Sequence, residues 1–364
     1  ILKTNIIGLV AAAMIVSVPV SAKIPKLKAN NIDEVIKAMT IEEKADLIVG
    51  ARMYHQDENA APHIKESWKV VPGAAGRVNP VPRVGIPCVV LSDGPAGCGI
   101  LPVEGEENYF CTHFPIETLL SSTWDVDLVK NVGEVIGNEA KEYGVDVLLA
   151  PAVNIHRHPL CGRNFEYFSE DPLLTAKMAV AYVDGVQSND IGTSVKHFAA
   201  NNQETNRMNN NTIVSPRALR EIYLKAFEMV VKESQPWTIM SSYNRINNVY
   251  ASENPELITT LLRDEWGFKG AVMTDWWGGA DGAAQMIAGN DMIEPGTKEQ
   301  AAHIINGVKN GTLDEAIVDR NVRRILELIV KTPRFKGYKY ANNPDMKAHA
   351  AITRQSATEG MILL

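Results

Sequence analysis

Gly192-Thr-Ser-Val-Lys-His-Phe198 is a run of small and β-branched residues that ends in a lysine and a histidine. Such a run is typical of a buried strand. Polar side chains at the carboxyl ends of parallel strands are typical of α/β proteins, in which the active site lies at that edge. The stretch therefore predicts a strand that carries Lys196 and His197 to a functional edge of a sheet.

Short apolar runs alternate with segments of helical periodicity around this stretch. The other predicted strands are Cys88–Ser92, Thr118–Thr123, Asp146–Pro151, Trp237–Tyr243, Gly270–Thr274 and Asp291–Glu294. The predicted helices are Val126–Tyr143, Leu173–Gln187, Pro216–Lys232, Pro255–Trp266 and Gln300–Asn310. This alternation predicts an α/β fold, a TIM-type (β/α)8 barrel that is distorted or incomplete.

Two features lie outside this alternation. Residues 31–51 have the spacing of one packing helix, and the Gly/Pro-rich residues 53–87 favour a long loop. The alternative fold is an open, doubly wound sheet. No predicted strand is followed by a Gly-x-Gly-x-x-Gly turn or a phosphate loop, so the sequence gives no support to nucleotide binding.

Composition excludes several classes of protein. The 364 residues carry a net charge of −7 with no basic block, which argues against a nucleic-acid partner. A hydrophobic share of 45% is ordinary for a globular chain. The four cysteines could pair after export, but they are too few for a disulfide scaffold and have no metal-ligand spacing.

The amino-terminal residues have the pattern of an export signal. Lys3 precedes an uncharged run over residues 6–20, and the small residues Val20-Ser21-Ala22 follow it. The run is interrupted by Ser17 and Pro19 and is shorter than the roughly 20 residues of a membrane-spanning helix. We therefore expect residues 1–22 to be a cleavable signal peptide, the mature chain to be secreted or periplasmic, and no membrane association after cleavage.

Polar side chains stand at four predicted strand ends. The side chains are Asp93, the neighbouring pair Lys196 and His197 on one strand, Tyr243 and Asp275. Asp275 is followed by Trp276 and Trp277, whose flat faces could contact the C–H face of a sugar, although one of the two could instead fill the core. Charged donors and acceptors around an aromatic face indicate a carbohydrate site.

Histidines are also concentrated near this edge. His113, His156 and His158 have no partner at metal-ligand spacing on one element, so we expect them to serve packing or hydrogen bonding. The sequence predicts no metal and no cofactor.

Several longer motifs resemble those of glycoside hydrolase family 3, in its β-glucosidase branch. They are Gly162-Arg163-Asn164-Phe165-Glu166, Ser169-Glu170-Asp171-Pro172, Lys196-His197-Phe198, Asn201 to Arg207, Tyr243-Asn244 and Met273-Thr274-Asp275-Trp276. The resemblance runs from about residue 31 to residue 364. The loop after Lys-His that carries a catalytic histidine in the N-acetylglucosaminidase branch is missing, which disfavours amino-sugar cleavage.

The resemblance implies roles for particular residues. Asp275 is similar to the family's catalytic nucleophile, and the substrate contacts would be Asp93, Arg163, Lys196, His197, Arg207, Tyr243 and Trp276. The implied reaction is retaining hydrolysis of terminal β-D-glucosyl or related residues from a β-linked oligosaccharide or β-glucoside. Glu166, Glu204 and Glu294 do not match the acid role, and we expect Glu166 and Glu204 to orient nearby arginines or the lysine.

The resemblance also implies a domain division. Residues 23–335 would be the family's N-terminal barrel domain, and residues 336–364 a linker with the start of a following α/β sandwich domain. The chain begins without Met and ends in an apolar run, so we expect a fragment. Its acid/base carboxyl would come from the following domain and be absent here.

Two other functions remain open. A lysine at the end of a barrel strand can form a Schiff base, which would make the chain a lyase or aldolase acting through Lys196. The chain could also bind sugar without turning it over. Oligomeric state has no signal in the sequence.

Overall fold

A computed structural model describes residues 24–53 and 60–363 of the chain. The predicted signal peptide, residues 1–22, lies outside the described residues. Within the described ranges, every helix is too short or too polar to cross a membrane.

Among the described residues, six strands form one hydrogen-bonded sheet in the order β1-β2-β3-β4-β6-β9. All neighbours are parallel except β1, which pairs antiparallel with β2. The six are β1 (Gly76–Val78), β2 (Val89–Asp93), β3 (Val147–Leu149), β4 (Gly192–Phe198), β6 (Thr238–Ser241) and β9 (Ala271–Thr274). A separate small sheet contains β5 (Asn211–Thr212), β7 (Arg245–Ile246) and β8 (Val249–Tyr250).

Single bridges close the sheet into a ring. Met273 pairs with Met292 and Ile293 pairs with Val49, both parallel, while Ala51 pairs antiparallel with Arg77. Residues 292–293 and 49–51 thus complete the circuit from β9 back to β1. The fold is a TIM-like α/β barrel of irregular form, as the sequence predicts, with one antiparallel member and a seam held by isolated bridges.

Helices surround this sheet. They are α1 (Ile32–Ala38), α2 (Ile41–Ile48), α3 (Pro62–Ser67), α4 (Glu117–Ser122), α5 (Val126–Glu142), α6 (Pro172–Gln187), α7 (Pro216–Ala218), α8 (Lys225–Ser234), α9 (Gly282–Ala288), α10 (Lys298–Asn310), α11 (Glu315–Ile329) and α12 (Met346–Gly360). Leu219–Tyr223 and Glu256–Glu265 are π-helical, and Pro82–Val84, Asn164–Glu166 and Ala251–Glu253 are short 3₁₀ turns. Side-chain caps begin many of the helices, as where Asp125 accepts hydrogen bonds from the first turn of α5.

Alternation along the strands divides the core into two layers. Val89, Leu91, Val147 and Leu149 belong to one buried cluster with residues of α1, α2 and α11. Their neighbours, such as Val90 and Leu148, belong to a second cluster with residues of α5, α6 and α8. Strands buried on both sides are expected in a parallel barrel covered by helices.

The structure corrects four predictions. Asp291–Glu294 is not a regular strand, because residues 292 and 293 pair only through single bridges. Thr118–Thr123 is not a strand, because residues 117–122 form α4, and a short apolar run cannot be told from a helix by its pattern. The single helix expected over residues 31–51 is divided into α1 and α2, because Thr40 makes a capping box at the start of α2. The segment 53–87, expected as a loop, contains α3 and β1.

The last helix packs against the barrel. His349 Nδ1 lies 2.8 Å from Glu139 Oε2 of α5, and Ser122 Oγ donates to the Gly360 carbonyl at 2.6 Å. The boundary expected at residue 335 stays a prediction. All four cysteines lie within the described residues, and each is a free thiol.

Candidate active site

The carboxyl ends of β2, β4, β6 and β9 bring the predicted polar side chains to one edge of the barrel. Asp93 ends β2, Lys196 and His197 lie in β4, and Asp275 follows β9. Arg163 approaches from the long loop after β3. Convergence on one edge agrees with the parallel direction of these strands.

Asp275 lies at the centre of this group and is only 6% exposed. Its Oδ1 accepts a hydrogen bond from the main-chain N–H of Trp276 at 2.8 Å. Its Oδ2 has no hydrogen-bond partner among the described residues, and the Arg163 Nη1 atom lies 3.9 Å away. Burial raises the pKa of Asp275 above its usual value, while Arg163 and Lys196 oppose that rise.

Arg163 is held by Glu166, three residues along the chain. Its Nε donates to Glu166 Oε1, and its Nη2 lies 2.6 Å from His197 Nε2. Burial acts against the guanidinium charge, but Glu166, Tyr167 and Asp275 raise the pKa of Arg163 overall. The arginine is therefore a fixed positive group facing Asp275.

Lys196 shares the same acidic partner. Its Nζ lies 3.8 Å from Glu166 Oε2, and both side chains are almost fully buried. Although burial favours the neutral acid, Lys196 and Arg163 lower the pKa of Glu166 below its usual value. The expected role of Glu166, orienting an arginine and a lysine, is confirmed by these contacts.

His197 is completely buried and lies between Arg163 and Asn154. Its Nδ1 is 3.2 Å from Asn154 Oδ1, and its Nε2 is 3.7 Å from Asp275 Oδ2. Burial lowers the pKa of His197 well below its usual value, and the nearby Arg163, Lys196 and Arg207 lower it further. The imidazole is therefore neutral and makes no ion pair with Asp275.

Arg207 and Tyr243 form a second contact pair at this edge. The Arg207 guanidinium carbon lies 4.5 Å from the centre of the Tyr243 ring. Glu204 Oε2 accepts from Arg207 Nη1 at 2.9 Å, which confirms the expected orienting role of Glu204. Burial and the negative charge of Asp275 raise the pKa of Tyr243, so its hydroxyl keeps its proton.

Asp93 is exposed and lines two cavities. One cavity of about 430 Å³ is also lined by Arg163, Glu166 and Lys196. The other, of about 650 Å³, is lined by Asp93 together with Trp276 and Arg52. A carboxylate placed between two open spaces can accept hydrogen bonds from a ligand in either one.

The two tryptophans differ. Trp276 is partly buried against the core, and its Nε1 donates to the Ala75 carbonyl at 3.3 Å. Trp277 is 44% exposed and is stacked against Arg52, whose guanidinium carbon is 4.5 Å from the ring centre. Trp276 alone of the pair lines the larger cavity, as the sequence interpretation of one platform and one packing residue allows.

Two buried residues near the site were not identified from the sequence. Asn154 holds both the main chain and the ring of His197. Glu117, in the first turn of α4, lines the smaller cavity and has no hydrogen-bond partner on either carboxylate oxygen within the described residues. Burial raises the pKa of Glu117 well above its usual value. Asn154 lies in the loop after β3 and Glu117 lies in a helix, so neither stands directly at a strand end.

The histidines of the loop after β3 make local contacts. His156 Nε2 lies 2.8 Å from the Asn164 carbonyl, and His158 Nδ1 accepts from the Leu160 N–H at 3.1 Å. The expected hydrogen-bonding role of these two is confirmed. Residues 24–53 and 60–363 contain no cluster of three side chains suited to a metal ion.

Fold and site together define a class. The chain is an α/β barrel with a buried carboxylate at a strand end, surrounded by fixed cations and by aromatic and open surfaces. Such a pocket suits a neutral, polyhydroxylated ligand.

Comparison with known proteins identifies the family. Residues 78–328 match the glycosyl hydrolase family 3 N terminal domain. The chain is 40% identical to thermostable beta-glucosidase B of Acetivibrio thermocellus over 92% of its own length and 42% of that protein. It is also 40% identical to an exo-alpha-(1->6)-L-arabinopyranosidase of Bifidobacterium longum, over 90% and 41% of the two chains.

A solved structure agrees with these relatives. Beta-glucosidase 3B from Thermotoga neapolitana in complex with glucose superposes with a TM-score of 0.86 at 49% identity, covering 92% of this chain and 47% of that one. The chain therefore belongs to glycosyl hydrolase family 3. It spans less than half the length of these relatives.

Proposed function

We propose that this protein hydrolyses terminal β-glucosyl or closely related β-glycosyl residues, with retention of configuration and with Asp275 as the nucleophile. The observation that supports this most strongly is the unpartnered Asp275 Oδ2, buried in the pocket with Arg163 Nη1 3.9 Å away. An ionised oxygen without a hydrogen-bond donor keeps its lone pairs for attack on a carbon. Similarity to named beta-glucosidases supports the substrate class.

In the first step, Asp275 Oδ2 forms a bond to the anomeric carbon while the bond to the leaving oxygen breaks. The leaving oxygen takes a proton from an acid, and water then releases the sugar from Asp275 with its configuration retained. The negative charge that Asp275 needs for attack is stabilised by Arg163 and Lys196. Their positive charges oppose the effect of burial on the Asp275 carboxyl.

The remaining side chains bind the sugar. Asp93 supplies acceptors, whereas Arg163, Lys196 and Arg207 supply donors, so several hydroxyl groups can be bound at once. Both ring nitrogens of His197 face protein partners, Asn154 and Arg163, so this residue supports the pocket without a free acceptor. Trp276 provides a ring face beside the cavity. Contacts far from the reacting carbon increase the rate when they strengthen in the transition state.

We propose that the acid/base carboxyl comes from outside these 364 residues. Glu166 is ion-paired to Arg163 and Lys196, and Glu204 is bonded to Arg207 and Asn201. A carboxylate bound in this way, with a lowered pKa in the case of Glu166, is a poor proton donor near neutral pH. The retaining mechanism needs a second carboxyl about 5–5.5 Å from the nucleophile.

One finding supports a second substrate class as an alternative. The Bifidobacterium longum relative named as an exo-alpha-(1->6)-L-arabinopyranosidase is as similar to this chain as the named beta-glucosidase. Dinitrophenyl β-D-glucoside, β-D-xyloside and α-L-arabinopyranoside should therefore be compared. We expect the glucoside to give the highest kcat/KM, and preference for the arabinopyranoside would replace the proposed substrate while keeping the nucleophile.

Chemical rescue tests the role of Asp275. Asp275→Gly removes the attacking oxygen, so release of dinitrophenolate from 2,4-dinitrophenyl β-glucoside should cease. Added azide should then restore release and give the α-glucosyl azide, because azide attacks the face that Asp275 otherwise occupies. Full activity of the glycine variant without azide would contradict the proposal.

The proposed origin of the acid has its own test. The 364-residue chain should react with 2,4-dinitrophenyl β-glucoside, whose leaving group needs no proton, and release a burst of dinitrophenolate followed by very slow turnover. It should not hydrolyse cellobiose measurably. Steady cellobiose hydrolysis by pure, monomeric chain would mean that a carboxyl within residues 23–364 is the acid.

Two other functions are separated by the same kind of measurement. A lyase acting through Lys196 would be trapped by borohydride on a carbonyl substrate, whereas we expect no such adduct because Lys196 Nζ faces Glu166. Binding without chemistry would appear as calorimetric binding of glucose with no dinitrophenolate burst.

A further inference from the structure

Asn154 lies in the loop after β3 and makes three contacts with His197. The His197 main-chain N–H donates to Asn154 Oδ1 at 2.8 Å, and Asn154 Nδ2 donates to the His197 carbonyl at 3.0 Å. These two main-chain groups have fixed polarity, so they determine which end of the Asn154 amide is oxygen. The asparagine is 2% exposed and lines neither of the two cavities described above.

The orientation of the amide determines the tautomer of His197. Asn154 Oδ1 can only accept, so His197 Nδ1, 3.2 Å away, must carry the ring proton. On the other side of the ring, Arg163 Nη2 lies 2.6 Å from Nε2, and a guanidinium can only donate. Both neighbours therefore require the same neutral tautomer, with hydrogen on Nδ1 and a lone pair on Nε2.

This tautomer has a consequence for the nucleophile. His197 Nε2 is 3.7 Å from Asp275 Oδ2, so a hydrogen on Nε2 would be directed towards the attacking oxygen. It would also repel the Arg163 N–H group. With the hydrogen on Nδ1, two acceptor atoms face each other, and Oδ2 has no donor among the described residues.

We infer that Asn154 is a positioning residue that fixes the Nδ1–H tautomer of His197, and thereby holds Arg163 towards Asp275 and keeps Asp275 Oδ2 free of a histidine donor. The inference rests on the proposed role of Asp275 as nucleophile. Its structural part, the tautomer, depends on hydrogen bonds alone. The tautomer assignment and the proposed activity can therefore be disproved independently of each other.

The direct measurement is the ¹⁵N shift of the His197 ring in protein labelled at histidine, with the signal assigned by its loss in His197→Gln. We expect a protonated Nδ1 and an unprotonated Nε2 from pH 5 to pH 8. An imidazolium, or a hydrogen on Nε2, would overturn the inference even if the protein hydrolyses β-glucosides. If the ¹⁵N shifts show the expected Nδ1–H tautomer but the protein turns over no β-glycoside, the proposed function would be contradicted instead.

Two variants test the effect on chemistry, measured as dinitrophenolate release from an activated β-glucoside. Asn154→Ala removes the acceptor for Nδ1–H, so the tautomers should mix and the rate constant of the chemical step should fall about 10²-fold, with a smaller change in KM. Asn154→Asp places a carboxylate beside Nδ1 and should stabilise the imidazolium. Its rate should be low at acid pH and recover as pH rises, because deprotonation restores the Nδ1–H tautomer.

A matched control separates positioning from stability. Asn321 is also fully buried and bonded to main-chain carbonyls, but it lies in α11 and its partners are the carbonyls of Met286 and Asn290. Asn321→Ala should lower thermal stability and leave the acid limb of the rate profile and the His197 shifts unchanged. If Asn154→Ala behaves in the same way as this control, Asn154 is only a structural residue.

Discussion

Two neighbouring parts of the barrel bury a carboxyl group in different surroundings. In the Asp275 pocket, defined here by Asp93, Arg163, Lys196, His197, Tyr243 and Asp275, burial of Asp275 is opposed by Arg163 and Lys196. In the Glu294 seam, defined by Gly50, Arg77 and Glu294, neither oxygen of Glu294 has a hydrogen-bond partner within the described residues. Burial raises the pKa of Glu294 well above its usual value, and Arg77 alone opposes it.

The difference shows that burial alone does not make a carboxyl reactive. Asp275 is surrounded by cations that are themselves fixed by Glu166, so its negative charge is stabilised while Oδ2 stays free. Glu294 is buried where residues 292–293 and 49–51 close the barrel. Burying its neutral form costs less free energy than burying an isolated charge. The first arrangement suits chemistry, and the second suits packing.

The largest expected effect comes from exchanging each carboxyl for an amide. Asp275→Asn should reduce dinitrophenolate release from 2,4-dinitrophenyl β-glucoside by on the order of 10⁴-fold or more, because an amide is a very poor nucleophile. Glu294→Gln should change the same rate by less than about fivefold, since an amide resembles the neutral acid already present. Equal losses in the two variants would remove the distinction between pocket and seam.

Asp93 tests whether an exposed carboxylate in the pocket matters to turnover. Asp93→Ala should lower kcat/KM by an amount that corresponds to a loss of about 2–4 kcal/mol in transition-state stabilisation. Part of this loss should appear in kcat. Glu221, an exposed carboxylate paired with Arg217, is the control, and Glu221→Ala should have no effect on kinetics. A loss confined to binding, with unchanged kcat, would contradict a role for Asp93 in the transition state.

Gly50 tests the packing of the seam. A Cβ at Gly50 would lie 2.1 Å from Glu294 Oε2, so Gly50→Ala should destabilise the fold by about 1–3 kcal/mol in urea unfolding. Gly162→Ala, whose Cβ would meet Glu204 at an ordinary 3.6 Å, serves as the control. In the double variant Gly50→Ala/Glu294→Ala, removal of the carboxyl should recover part of the loss. Strictly additive losses would show that the two side chains do not compete for space.

The smallest expected effect is on the pH dependence of stability. Because the folded pKa of Glu294 is raised, the folded state retains a proton that the unfolded chain loses above about pH 4.3. Stability should therefore fall as pH rises above that value, and Glu294→Gln should reduce the slope by at most about 1.4 kcal/mol per pH unit. Glu117 acts in the same direction, so the remaining slope should decrease again in Glu117→Gln. Identical slopes in parent and Glu294→Gln would show that Glu294 is ionised when buried.

Much of the pocket could be predicted from sequence, because strand ends in a parallel barrel share an edge. Asp93, Lys196, His197 and Asp275 were found by that rule alone. Arg163 and Arg207 needed the resemblance to a family, since both lie in loops.

The seam and the supporting residues could be predicted only in part. The sequence predicts a strand over Asp291–Glu294, where residues 292–293 pair through single bridges, but residues 49–51 lack the length and alternation that reveal a strand. Asn154 acts through main-chain groups of a residue 43 positions away, and no local pattern encodes that contact. The neutral state of Glu294 depends on burial produced by the closed barrel.

The central claim is that Asp275 forms the bond to the sugar. The most direct test is inactivation by 2,4-dinitrophenyl 2-deoxy-2-fluoro-β-D-glucoside, followed by peptide mapping with mass spectrometry. Its leaving group needs no acid, and its fluorine slows release of the covalent intermediate. We expect one fluoroglucosyl group per chain, attached to Asp275 in the peptide that contains Met273-Thr274-Asp275-Trp276. An adduct on Glu166, Glu117 or Lys196, or continued dinitrophenolate release with no adduct on Asp275, would contradict it.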